Sequence, residues 1–170
     1  MKILVTFFAC LLSFFVTAQD QVVQSNLKGM VSYNQKQIAS LAEAFSEDQY
    51  DWRPADGVRS VREAILHVAG TNYYIASKLG FPPPEDVDVM AIGQITGKEN
   101  VINALNKSFD FVIDKLDKIS SDDFGKEVDL GFAKMSTISS MLLVLDHCGE
   151  HKGQLIAYAR SNGVVPPWSK

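Results

Sequence analysis

The chain has 170 residues, of which 46% are hydrophobic and 21% charged, and carries a formal charge of −4. That length suits one domain with a substantial buried core. The acidic balance, with no basic stretch interleaved with aromatic residues, argues against nucleic-acid binding.

Residues 1–18 carry the pattern of a secretory signal peptide. Lys2 precedes an apolar run from Ile3 to Val16, and Val16 and Ala18 supply the small or branched residues of a cleavage site after Ala18. The run is short for a membrane span, and Cys10 falls in its middle, where a lipoprotein signal would place a cysteine at the end. No later segment is long and apolar enough to cross a bilayer. The expectation is therefore a bacterial periplasmic or secreted protein, with residues 19–170 as its domain and no stable membrane span after cleavage. Cleavage removes Cys10 and leaves Cys148 alone, which forbids an intramolecular disulfide.

Four helices follow in chain order. The first is expected over about 22–45, with Leu27, Met30, Val31, Ile38, Leu41, Ala42 and Phe45 as an interrupted apolar stripe. A link follows in which Ser46 and Gln49 resemble a short capping box. The second helix opens at Ser60, whose capping partner is Glu63, and carries Val61, Ile65, Val68, Asn72, Ile75 and Leu79 to a stop at Gly80 before three prolines. A loop of roughly 15 residues, rich in proline and acid, leads to the third helix. There Thr96 and Glu99 are expected to form another capping pair, and Val101, Leu105, Phe109, Val112, Ile113 and Leu116 supply the stripe. The irregular stretch around Gly125 and Gly131 has room for a short hairpin. The fourth helix is expected from near Ser136 to Asn162, with Gly163 as its stop and Gly149 and Gly153 as points of close helix approach. The fold class read from this is all-α, a four-helix bundle with two long connections.

The chain holds three histidines, His67, His147 and His151. His147 and His151 sit four apart on the fourth helix, a rotation of about 40° and a rise of about 6 Å, so both imidazoles leave one face. That spacing suits a metal ion taking two ligands from one helix. Val144, Cys148, Leu155 and Tyr158 share the face, which is expected to pack inward. Buried imidazoles there need partners, because an unsatisfied buried polar group costs about 1–3 kcal/mol. His67 lies on the flank of the second helix and could close a three-nitrogen site. Spacing alone also allows a chance histidine pair and a hydrogen-bonded structural His67. Asp146 and Glu150 point away from the pair toward solvent. Gln154 lies nearer the pair and could orient a ligand, and Tyr74 or Tyr158 could assist from the same faces.

Two segments carry a resemblance to a known family. HCGEHKGQLIAYARSNGVVPP, from His147, resembles the final helix of the DinB superfamily, the DinB/YfiT-like metalloenzymes, and DWRPADGVRSVREAILHVAG, from Asp51, resembles that family's approach to its first ligand. The resemblance covers nearly all of the chain after residue 18. It implies a four-helix bundle with crossover connections, often a homodimer. It also implies a divalent metal ion held by His67, His147 and His151, most commonly zinc or nickel, with iron and manganese as further candidates.

Three neutral imidazoles leave such an ion its full charge and an open position, from which it can activate water or a thiol. The expected function is a metal-dependent hydrolase or thiol-type transferase acting on a small molecule. Export favours water, since small thiol cosubstrates are chiefly cytoplasmic. The alternatives are a non-catalytic bundle stapled by its metal and a stress-related protein-interaction module. Neither a general base nor the substrate can be read from the residues.

Overall fold

Ser60 and Glu63 open the second helix as a reciprocal cap. The Ser60 hydroxyl accepts the Glu63 N–H at 3.2 Å, and the Glu63 carboxylate accepts the Ser60 N–H at 2.8 Å. The computed structural model describes residues 2–169, with side chains described from Val22 onward. It contains α1 (Lys2–Ala44), α2 (Val61–Lys78), α3 (Lys98–Leu116) and α4 (Thr137–Ser161). A two-stranded antiparallel hairpin, β1 (Glu127–Asp129) and β2 (Lys134–Ser136), precedes α4, with Val128 opposite Met135. The side chains of the expected signal peptide, residues 1–18, lie outside the described set. Among the described residues, no helix is long and apolar enough to cross a membrane.

The bundle has a crossed connectivity. Helix α1 packs against α3 and α4, and α2 packs against the same two helices. The successive pairs α1/α2 and α3/α4 thus lie diagonally, and the long connections 45–60 and 117–136 span those diagonals. Ile38 and Leu41 of α1 and Phe45 just beyond it, Ile65 and Ile75 of α2, Leu105 and Phe109 of α3, and Met141 and Leu155 of α4 meet in the core with under 2% of their surface exposed. Burying a large apolar side chain contributes about 1.5–3 kcal/mol. Asn72 makes polar contacts within this core: its Nδ2 donates to Ser108 Oγ at 3.1 Å, tying α2 to α3, and its Oδ1 accepts from Cys148 Sγ of α4 at 3.8 Å.

Three local expectations need correction. Met30 is 51% exposed and Asn34 is buried, so the inner stripe of α1 drifts away from Met30 as the helix proceeds. Thr96 and Glu99 do not cap α3, because the N-cap is Gly97 with φ +82°. Instead the Lys98 N–H donates to the Glu47 carboxylate at 3.1 and 3.2 Å, while Lys98 Nζ donates to the Glu43 and Phe45 carbonyls at 2.8 and 2.6 Å. The start of α3 and the end of α1 therefore satisfy each other across the bundle, a contact between residues far apart in sequence. Finally, a Cβ at Gly149 or Gly153 would meet nothing within 4 Å, so neither marks a close helix approach.

The hairpin docks on α2. Tyr74 donates its hydroxyl proton to the Leu130 carbonyl at 2.5 Å, and a Cβ on Gly131 (φ +81°) would stand 3.2 Å from that hydroxyl oxygen. Only glycine meets both conditions without strain.

Candidate metal centre

Helix α4 sets two histidines on its inner face, as the four-residue spacing predicts. His151 is buried and His147 half-buried, beside buried Val144, Cys148, Leu155 and Tyr158. Asp146 and Glu150 on the same helix are exposed. Because α2 packs directly against α4, His67, one turn beyond the cap residue Glu63, meets them across the seam. The ring centroids of the three imidazoles are 4.4 to 5.0 Å apart, and one nitrogen from each falls within 4.8 Å of the others. The sequence-predicted trio is thus brought together.

The chemistry of this set fits a divalent cation. Burial lowers the pKa of His67 to about 4, with Arg59 and His151 adding to the effect. Burial likewise lowers His147 to about 3, with His151, His67 and Arg59 contributing. Both rings are therefore neutral at pH 7, with a lone pair free. His147 Nε2 and His67 Nε2 face each other at 3.2 Å. Two nitrogens bound tetrahedrally at about 2.0–2.1 Å from one zinc ion stand about 3.3–3.4 Å apart, so the spacing matches a shared ion.

The third imidazole has its tautomer set by a relay. The Arg59 carbonyl can only accept, so the Tyr158 hydroxyl donates to it, at 3.0 Å. The same hydroxyl then accepts from Gln154 Nε2 at 2.7 Å, which turns Gln154 Oε1 toward His151 Nδ1, also at 2.7 Å. Of the two neutral tautomers, His151 is therefore held in the one with its proton on Nδ1, which leaves the Nε2 lone pair for a metal. Trp52 braces the relay, its ring edge-on to Tyr158 with centroids 5.3 Å apart. His147 has no such support: its Nδ1 is buried without a hydrogen-bond partner.

His67 opens onto a cavity of about 430 Å³, whose walls include Arg59, Glu63, Gly70, Tyr74 and Val89. Ile92 separates it from a larger cavity of about 600 Å³, lined by Tyr73, Asp86 and Lys107 among others and containing none of the histidines. Glu63 is fully engaged by the Ser60 N–H and by Arg53 at 3.1 Å, contacts that hold its carboxyl below the usual range. Tyr74 serves the hairpin and Tyr158 the relay, so each has a structural partner. Sequence reading placed Gln154 near the pair and Arg59 in the approach to His67, but gave Arg59 no role and missed the loop residues Val89 and Ile92. The one signal for the loop was its length.

The family model for the DinB superfamily matches residues 31–155. The protein YjoA of Bacillus subtilis is 27% identical over 129 residues, which are 72% of this chain and 80% of YjoA. Among solved structures, a DinB-like protein of Bacillus cereus aligns with TM-score 0.68 at 14% identity, covering 80% of this chain and 90% of that one. YfiT of Bacillus subtilis, described as "a probable metal-dependent hydrolase with an unusual four-helix bundle topology", aligns with TM-score 0.64 at 16% identity, covering 84% and 89%. These structural likenesses concern the fold.

Proposed function

The chain belongs to the DinB superfamily, and from that premise we propose that it is an exported metal-dependent hydrolase acting on a small molecule. His67, His147 and His151 would hold one divalent ion, zinc or nickel. The observation that carries this reading is the placing of three ring nitrogens within 4.8 Å of one another, with His67 open to a cavity. A divalent ion bound with an open position supplies Lewis-acid activation of water or of a thiol.

The protein's own residues do the rest. Gln154 and Tyr158 hold His151 in the binding tautomer, and burial keeps His67 and His147 deprotonated. Leu66 and Ile92, both buried, wall the cavity with apolar surface. Glu63 is committed to its cap and to Arg53, so no lining carboxylate is free to take a proton. Export, read from residues 1–18, favours water over a thiol cosubstrate. The description of YfiT as a probable metal-dependent hydrolase points to the same class.

The decisive experiment is elemental analysis of untagged protein beside the His151→Ala variant. About one zinc or nickel per chain is expected, largely lost in the variant, followed by turnover in an ester and amide screen that chelation abolishes. A wild type that stays empty after reconstitution with zinc, nickel, iron and manganese defeats the metal reading. A loaded but inert protein favours the stapled bundle instead. Export is checked by N-terminal sequencing of secreted material, which is expected to begin at Gln19.

A further inference from the structure

Three arginines cluster around the start of α2, and two have structural work. Arg53 donates to the Val58 carbonyl at 3.0 Å and pairs with Glu63, and Arg62 pairs with Asp51 at 3.0 Å. Arg59 is different. Its backbone carbonyl takes the Tyr158 proton, but among the described residues its guanidinium has neither an ion pair nor a hydrogen-bond partner, although it lines the cavity that holds His67. Since Arg53 already neutralises Glu63, the one lining carboxylate, the cavity keeps an uncompensated positive charge at this end. A guanidinium offers five N–H donors in a fork that fits a carboxylate.

Toward Tyr74 the lining offers ring and aliphatic surface, with Lys78 Nζ 5.4 Å from the Tyr74 ring centroid. Glu63, His67, Gly70 and Tyr74 recur along one face of α2, and at 1.5 Å per residue Tyr74 stands about 10 Å beyond His67. Val89 and Ile92 from the long loop add apolar lining, and Tyr74 is anchored to the hairpin. The lining thus combines the unpaired Arg59 cation, His67 and the apolar surface of Leu66, Val89 and Ile92.

We infer that the site takes a small amphipathic carboxylate, its acid group on Arg59 and its apolar body against Tyr74 and Val89, beside His67. This rests on the proposed function for the reaction, but the anion site stands on Arg59 itself.

The test is binding of 4-phenylbutanoate and its neutral amide, 4-phenylbutanamide, to the full chain prepared metal-free, followed by calorimetry or NMR titration. Arg59 is exposed, yet the acid should still bind about tenfold more tightly than the amide, as a charge-assisted contact allows. Arg59→Gln should abolish that preference and Arg59→Lys restore part of it. Val89→Ser should weaken both probes alike. Equal binding of acid and amide by the wild type, no binding of either, or a preference that survives Arg59→Gln overturns the assignment. So does a preference seen only after zinc loading and indifferent to Arg59, which would place the carboxylate on the ion. Metal content measured before stripping and again after zinc and nickel reconstitution scores the three-histidine reading separately: an Arg59-dependent preference in a chain that takes up neither metal leaves the anion site standing while the metal reading falls.

Discussion

Gln154 accepts the Nδ1 proton of His151 at 2.7 Å while donating to Tyr158 at 2.7 Å, so one amide sets which nitrogen of the histidine is free. Removing such an outer partner commonly costs 10–100-fold in metal affinity. Gln154→Leu is accordingly expected to weaken zinc binding by about tenfold or more, with the helical content intact, whereas Gln154→Glu keeps an acceptor for Nδ1 and loses less. Competition with a chromogenic chelator measures both. Equal affinities for wild type and the leucine variant would show that the relay does not orient the ligand.

Acid should destabilise the metal-free protein through the histidines. His67 and His147 have pKa values lowered from 6.5 to about 4 and about 3 in the folded chain. Between those values and 6.5 the unfolded chain binds more protons, so stability rises with pH and is lost as pH falls through that window. Urea titrations in chelator from pH 4 to 7 should show this slope, and the double substitution His67→Asn with His147→Asn should flatten it.

Cys148 is buried, and burial pushes its thiol up to about 12. Because the thiolate is the reactive form, native protein at pH 8 should resist a disulfide-exchange reagent and react only on opening. The labelling rate should rise steeply with denaturant; fast labelling of the native state would contradict the burial.

Loss of the reciprocal cap has a defined cost. Ser60→Ala removes the acceptor of the Glu63 N–H and should lower stability by about 1 kcal/mol. Because His67 follows Glu63 by one turn, fraying there should weaken metal binding as well. A thermal melt and a chelator competition on the same sample test both effects, and an unchanged melting temperature would contradict the first.

Much of this protein was determined by local sequence. Helix periodicity, the Ser60/Glu63 cap and the glycine stops at Gly80 and Gly163 are properties of neighbouring residues, and the helices follow them. The His147/His151 pair was legible because helix geometry alone puts residues four apart on one face. What joins distant segments was settled by tertiary structure. The pairing of α2 with α4 delivers His67 to the pair, Glu47 replaces the expected Thr96 cap, and the loop residues Val89 and Ile92 become a cavity wall beside Arg59. The reason is physical. Backbone periodicity and capping depend on a few consecutive residues, whereas seams, relays and cavities depend on which helices the buried core forces side by side.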